Sequence, residues 1–350
     1  PNLQIAGRNI GVDCPVFIVA ELSANHHGRI DEAVELVHAA ARCGADAVKL
    51  QTYTADTLTL DVDRPWFRIE GDSPWRGQKL HELYQSAATP WEWYPQLAEE
   101  ARRLGLALFS TPFDPSAVDF LERQQAPAYK IASFENTDLN LVRKVARTGK
   151  PMIISTGMAT LAEIDDAVRA ARGAGCRELV LLKCTSTYPA APTDSNIRTI
   201  PALREAFGCE AGLSDHTLGC GVAVASVALG ATLIEKHFTL SRAEGGVDSA
   251  FSLEPAEFAQ LRVESERAWQ SLGQVNFQPT AAEGGSTQFR RSLYIVKPVK
   301  AGELLTRDNV RAIRPGYGLA PKHLDQLIGC RVVKDAAPGT PLAWELVRAA

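Results

Sequence analysis

The chain has 350 residues, 45% of them hydrophobic and 22% charged, with a net charge of −4. This balance excludes a disordered or fibrous chain and leaves room for a large one-core domain with a small second one. Residues 286–350 hold eleven Lys/Arg against five Asp/Glu, so the tail stands at +6 and the rest at −10, yet no Lys/Arg-rich run or interleaved aromatics accompany the tail, which argues against nucleic acid.

From residue 16 to about 272, short apolar runs alternate with amphipathic stretches, the pattern of βαβ units on a parallel sheet. The spacing predicts strands over 16–22, 47–51, 106–112, 128–132, 152–157, 179–185, 211–216 and 233–239. It predicts helices over 30–43, 91–104, 161–173 and 221–229, among others. Eight units in about 250 residues suit a TIM (β/α)8 barrel. The competing doubly wound sheet lacks its fingerprint, because the turn after the first strand reads Glu-Leu-Ser-Ala-Asn-His-His-Gly rather than GxGxxG. The longest apolar run, 220–234, is too short to span a bilayer and reads as a buried helix, so no membrane association is expected.

The connection over 52–90 is out of proportion and carries Trp66, Phe67, Trp75 and Tyr84. Long insertions in compact domains are usually functional. This one reads as a lid or rim on the substrate side, with an aromatic subunit contact as the plainer alternative. Beyond 274 a polar, Gly-containing stretch predicts a division into a barrel at 1–275, a linker at 276–288 and a small β-rich domain at 289–350. In that last part strands are expected over 292–296, 300–305, 331–333 and 340–342. Seven cysteines without regular spacing suit a reducing compartment. With no basic-then-apolar leader before the first strand, a cytoplasmic location is expected.

Reactive groups of a TIM barrel sit at the C-terminal ends of its strands. Polar residues collect there along this chain: Glu21; Lys49 and Gln51; Ser110 and Thr111; Lys130 and Ser133, with Glu135 just beyond; Ser155 and Thr156; Lys183 to Ser186; Ser214, Asp215 and His216; Glu235, Lys236 and His237. Lysines and hydroxyls around one mouth suit a small ligand that carries both phosphate and carboxylate. For any single lysine a salt bridge is the plainer reading.

His216 and His237 end adjacent strands, near enough for both imidazoles to reach one metal, although such a pair taken alone is more often structural. Two protein ligands leave positions for water and substrate, which suits a Lewis-acidic Mn²⁺ or Mg²⁺, with Co²⁺ also admissible. Glu21, Glu135 and Asp248 are acid/base candidates or hydroxyl anchors, and each equally suits an ion pair or a helix end. Cys184 has no adjacent His/Asn motif and reads as a small buried residue.

These residues also form motifs. Ala-Glu-Leu-Ser-Ala-Asn-His-His-Gly at 20–28, Val-Lys-Leu-Gln-Thr at 48–52, Phe-Ser-Thr-Pro-Phe-Asp at 109–114, Ala-Tyr-Lys-Ile-Ala-Ser at 128–133, Ser-Thr-Gly-Met at 155–158, Gly-Leu-Ser-Asp-His-Thr at 212–217 and Glu-Lys-His-Phe-Thr at 235–239 resemble the bacterial sialic acid synthase family. In the tail, Gly302-Glu-Leu and Arg314-Pro-Gly resemble its antifreeze-like, or SAF, domain. Trp75-Arg-Gly, Leu83-Tyr84, Thr89-Pro-Trp-Glu-Trp93 and the 246–255 segment are most similar to the pseudaminic acid synthase branch.

The resemblance implies a TIM barrel followed by a SAF domain, in a domain-swapped homodimer. It implies a phosphoenolpyruvate site at Lys49, Thr111, Lys130, Ser133, Ser155, Ser186 and Ser214, and metal ligands at His216 and His237. Glu21, Asp248 and Glu135 become catalytic groups, and Gln51, Glu135 and a partner's Arg314 contact an acylamino-sugar aldose. Ser186 stands where the N-acetylneuraminate branch usually has Asn.

The implied reaction joins phosphoenolpyruvate, water and 2,4-diacetamido-2,4,6-trideoxy-L-altrose to give pseudaminic acid and phosphate, on a route to flagellin glycosylation or surface polysaccharide. N-acetylneuraminate or legionaminate synthesis is the alternative within the family. A phosphoenolpyruvate aldolase for phosphorylated sugars and a non-catalytic carbohydrate-binding accessory protein are the alternatives outside it.

Overall fold

The computed structural model describes residues 3–71 and 75–349. The chain divides into two compact units, Pro1–Gly273 and Gln274–Ala350.

In the first unit eight parallel strands close into a barrel: β1 (Phe17–Glu21), β2 (Ala47–Thr52), β3 (Ala107–Pro112), β4 (Tyr129–Ile131), β5 (Met152–Ser155), β6 (Leu179–Cys184), β7 (Glu210–Asp215) and β8 (Leu233–His237). Each pairs with the next and β8 pairs with β1, which is the TIM barrel expected from the sequence. Strands covered on both faces must be apolar nearly throughout, and Phe-Ile-Val-Ala in β1 or Leu-Val-Leu-Leu in β6 meets that demand until the polar residue at the C-terminal end.

Inside the barrel, Phe17, Val19, Phe109, Ile153, Val180, Leu182 and Leu233 form one apolar cluster with Leu3, Ile5 and Ile10. The last three belong to an antiparallel hairpin, Leu3–Ile5 with Arg8–Ile10, too short to leave a periodic signal in the sequence. Because Phe17 and Leu233 are the first residues of their strands, the hairpin plugs the N-terminal end of the barrel.

Helices between the strands cover the outside of the barrel, their starts set by local chemistry. Thr160 and Glu163 form a capping box for Leu161–Gly173, and Asp114 accepts from the backbone of Ser116 and Ala117 ahead of Pro115–Arg123. The apolar run 220–234 is not one helix. Helix Gly221–Ala228 stops, Gly230 turns the chain at φ +86, and Leu233 opens β8.

The 52–90 insertion carries helices Ala55–Leu58 and Leu80–Ala87 with a 3₁₀ turn at Pro65–Phe67.

The second unit has its own core of Leu293, Ile295, Val299, Leu305, Val310, Leu327, Val332, Leu342 and Leu346. Its ladders are Ser292–Ile295 with Val310–Ile313, and Arg331–Val332 with Val347–Arg348. The expected strands over 300–305 and 340–342 make only isolated bridges, Leu304 with Arg331 and Tyr294 with Pro341. Gly302, at φ +87, turns the first of them out of an extended path. Residues 274–289 are exposed throughout, and Ala281–Phe289 within them winds as a 3₁₀ run rather than an irregular tether.

Candidate active site

A cavity of about 470 Å³ opens at the C-terminal end of the barrel. Its floor is built by strand ends. Glu21, Lys49, Gln51, Thr111, Lys130, Ser155, Ser214, His216, Glu235 and His237 all line it, joined by Ser133, Glu135, Ser186 and Asp248 from the loops beyond. Every barrel residue that the resemblance implies for the site is therefore in one place, whereas Ser110, Thr156, Thr185 and Asp215 do not line the cavity. Arg314 lies in the second unit, exposed, next to a cis peptide bond to Pro315.

Of the strand-end lysines only Lys49 and Lys130 face the cavity. Lys183 turns back to the Cys184 carbonyl at 2.9 Å, and Lys236 lies behind β8. The two inward lysines do not stand as free cations. Lys49 pairs with Glu21, lies 3.6 Å from Glu235 and donates to Thr111 at 3.0 Å. Lys130 pairs with Glu235 at 3.3 Å, and Ser214 also donates to Glu235, at 3.4 Å.

The physical reason is that a buried ammonium needs a counter-charge, and the sequence reading had given Glu235 no role. Burial opposes charge on Glu235, but Lys130 and Lys49 outweigh it and hold its pKa below the usual carboxylate range. Glu21 goes the other way: burial raises it and Lys49 offsets that only in part. Gln51 and the Ser23 amide donate to its Oε1, each at 3.1 Å.

Beside this lattice the floor forms a small polar cradle. The Gly157 amide donates to the Ser133 hydroxyl at 3.1 Å, and a side chain at Gly157 would overlap the hydroxyls of Ser133 and Ser186. Ser155 Oγ is buried without a hydrogen-bond partner among the described residues. A hydroxyl left in that state is a donor in wait of a ligand.

The two imidazoles stand with ring centroids 5.3 Å apart. His216 Nδ1 donates to the Thr185 carbonyl at 2.9 Å, which leaves its Nε2 lone pair for a ligand. His237 Nδ1 is buried with no hydrogen-bond partner among the described residues. Burial, with the neighbouring charges of Lys49 and Lys130, holds His237 well below 6.5, so it is neutral, as a metal ligand must be. The donor set fits a divalent cation with open positions.

Asp248 Oδ2 lies 4.0 Å from His237 Nδ1 and is held by the Ser23 hydroxyl. Cys184 Sγ is 3.9 Å from His216 Nδ1; the thiol, which burial alone would raise, is brought down to about 7 by that contact. The sequence reading missed this neighbour because 31 residues separate the two in the chain.

A second group of acidic and histidine side chains lies outside the cavity. Among the described residues, His27, Glu32 and Glu244 bring ligand atoms within 4.8 Å of one another, a geometry that admits a metal ion. Here both nitrogens of His27 already donate, Nδ1 to Glu32 and Nε2 to the Gly245 carbonyl, each at 2.8 Å. The ring is then an imidazolium strap that ties the loop before Asp248 to helix Ile30–Arg42, and Gly246 packs so closely that a Cβ would come 3.0 Å from His27 Nε2.

The opposite wall of the cavity is apolar. Leu58, Ile69, Trp75, Leu80, Leu83, Tyr84 and Ala87 of the insertion line it with Tyr53, Phe113 and Tyr188. Trp66 is 74% exposed, and neither it nor Phe67 contributes. Tyr53, Phe113 and Tyr188 escaped the sequence reading; each lies one to four residues beyond a strand end, which is the signal that would have found them. Burial raises Glu135 to about 7, and its Oε2 has no hydrogen-bond partner among the described residues. Among the described residues, none that lines the cavity is an arginine, and no helix is long and apolar enough to cross a membrane.

The chain is similar to known proteins over both of its units. Residues 36–277 match the NeuB family and residues 290–348 the SAF domain. The chain is 44% identical to the pseudaminic acid synthase of Campylobacter jejuni, over 95% of this chain and 97% of the relative. It is 42% identical to that of Helicobacter pylori, over 94% and 97%. Among solved structures, the N-acetylneuraminic acid synthetase of Leptospira borgpetersenii, in complex with citrate, superposes with a TM-score of 0.73 at 30% identity over 83% of this chain and 96% of that one. With a family match over most of its barrel, a second match over its tail and relatives of nearly full length, the chain belongs to the NeuB family.

Proposed function

We propose that the protein is a pseudaminic acid synthase, which condenses phosphoenolpyruvate with 2,4-diacetamido-2,4,6-trideoxy-L-altrose and water and releases phosphate. The observation that carries this reading is the union of two chemistries in one cavity: a floor of paired lysines and hydroxyls below an apolar wall supplied by the insertion. The floor suits a phosphorylated carboxylate. The wall suits a 6-deoxy sugar with two acetyl groups better than a more polar aldose. The higher identity to pseudaminic acid synthases than to the N-acetylneuraminic acid synthetase supports the same choice.

In this reading C3 of phosphoenolpyruvate bonds to C1 of the open-chain sugar, water adds at C2, and the C2–O bond breaks as phosphate leaves. Lys49 and Lys130 exchange their bonds to Glu21 and Glu235 for the carboxylate and phosphate, with Thr111, Ser133, Ser155, Ser186 and Ser214 as directed donors. Glu21, released from Lys49, takes the proton of the attacking water. Asp248 and Glu135 handle protons and hydroxyls on the sugar side, and Gln51 orients Glu21. A divalent cation, Mn²⁺, Mg²⁺ or Co²⁺, held by His216 and His237, supplies Lewis acidity toward a carbonyl.

A second copy, in a domain-swapped homodimer, supplies Arg314 to the acylamino group; support for this is that Arg314 is exposed and that, among the described residues, none that lines the cavity is an arginine. Seven unpaired cysteines suit the reducing cytoplasm, where phosphoenolpyruvate is available.

The test is phosphate release with phosphoenolpyruvate and a panel of 2-acetamido, 2,4-diacetamido and phosphorylated aldoses. Preference for the 2,4-diacetamido-6-deoxy sugar supports the reading. Preference for N-acetylmannosamine or a phosphorylated aldose overturns the choice of sugar, and sugar binding without phosphate release makes the protein a carbohydrate binder instead. Chelation by EDTA is expected to abolish release and Mn²⁺ or Mg²⁺ to restore it; full activity in metal-free protein would refute the role given to the histidines.

A further inference from the structure

The cavity ends of β7 and β8 read Ser214-Asp215-His216-Thr217 and Glu235-Lys236-His237, with Lys236 opposite Asp215 in register. Side chains alternate across a strand. Ser214, His216, Glu235 and His237 therefore face the cavity, and Asp215 and Lys236 face the other way, toward the helices.

On that hidden side they form a closed ring. Lys236 Nζ donates to Asp215 Oδ2 at 3.0 Å and to the Thr217 carbonyl at 2.5 Å. Asp215 accepts the Thr217 amide at Oδ1 and the Thr217 hydroxyl at Oδ2, both at 3.0 Å. The members are 1%, 4% and 0% exposed for Lys236, Asp215 and Thr217. The ring grips the residues on both sides of His216 and the residue before His237.

We propose that the ring of Asp215, Lys236 and Thr217 is a positioning device that sets the separation and aim of the two histidines, and through them the affinity for the metal ion. It rests on the reading that His216 and His237 hold that metal.

A buried ion pair adds little to stability over a well-packed apolar pair of the same size, so stability alone does not account for a fully buried lysine here. What an apolar pair could not do is tie β8 to the turn beyond β7. That tie matters most for His237. His216 has the Thr185 carbonyl to orient its ring, whereas His237 Nδ1 has no hydrogen-bond partner among the described residues and its ring packs on Phe251 at 5.0 Å. Its aim depends on the backbone that Lys236 anchors. Groups that orient metal ligands from behind typically carry a 10- to 100-fold share of affinity.

The experiment measures Mn²⁺ affinity of the full-length protein without substrates, by electron paramagnetic resonance of free Mn²⁺, for wild type, Lys236→Met, Lys236→Arg, Asp215→Asn and His237→Ala, with the thermal midpoint of each. The expected result for Lys236→Met is an Mn²⁺ Kd raised about 10- to 100-fold, kcat that recovers toward wild type at saturating Mn²⁺, and partial return of affinity in Lys236→Arg. If Lys236→Met does not fold, Asp215→Asn, which keeps size and shape, carries the same expectation at a smaller magnitude. A lowered midpoint with unchanged Kd in these variants overturns the proposal and leaves the ring a stabilising element. His237→Ala separates the two readings: loss of Mn²⁺ in it, with wild-type affinity in the ring variants, defeats this inference alone. Wild-type affinity in His237→Ala defeats the metal-site reading beneath it.

Discussion

Glu135 shows what a functional site costs a single residue. Its carboxyl is raised to about 7 by burial, and one oxygen has no partner among the described residues. An acid with a raised folded pKa penalises the fold above its unfolded value of 4.5, fully so above 7. Glu135→Gln should therefore raise the thermal midpoint at pH 8 by about 2–4 °C, and by less at pH 5, while phosphate release falls at least about tenfold. Scanning calorimetry at the two pH values checks the first part.

Lys130 is the reverse case, a charge whose removal orphans its partner. Lys130→Met leaves Glu235 with the Ser214 hydroxyl at 3.4 Å and the ammonium of Lys49 at 3.6 Å, and should destabilise by about 3 kcal/mol. The double change Lys130→Met with Glu235→Gln should recover most of that stability in urea titrations but none of the activity. Loss of stability in the double variant equal to that in the single one would contradict the pairing.

At the scale of elements, the cavity is shaped by segments that cross the open end of the barrel, and histidines pin two of them. His26 Nε2 meets the Thr89 hydroxyl at 2.8 Å, its Nδ1 accepts the Gly28 amide at 3.0 Å, and its ring packs on Trp93. The end of the 52–90 insertion is thereby tied to the loop after β1. Burial lowers His26 to about 4, so the folded state keeps it neutral while the unfolded chain binds a proton below 6.5. Its contribution is complete above pH 6.5 and is lost as pH falls toward 4, a loss of about 2 kcal/mol by pH 5. His26→Gln should flatten the fall in urea midpoint between pH 6.5 and 4. A slope in that variant equal to the wild type's would mean that other groups carry it.

For the whole molecule, two separate cores imply two units able to fold apart. A chain ended at Gly273 should keep a cooperative thermal transition and phosphoenolpyruvate binding. Its KM for the sugar should rise at least about tenfold once Arg314 is gone. Unchanged sugar kinetics in the truncated protein would remove Arg314 from the site.

The sequence by itself determined the eight-strand count and the strand limits to within two or three residues, because strands covered on both faces must be apolar until the polar residue at their open end. For the same reason it named the strand-end residues Lys49, Lys130, His216 and His237, whose period-2 position fixes the face they take. It missed the hairpin Leu3–Ile5 with Arg8–Ile10, since three-residue strands leave no period to read. Only the tertiary structure decided that Glu235 neutralises two lysines, that Cys184 meets His216, and that Lys236 works behind the strand rather than in the cavity. Those facts rest on which side chains meet across neighbouring and opposite strands, and contacts between residues 21 to 186 positions apart are written in no local pattern.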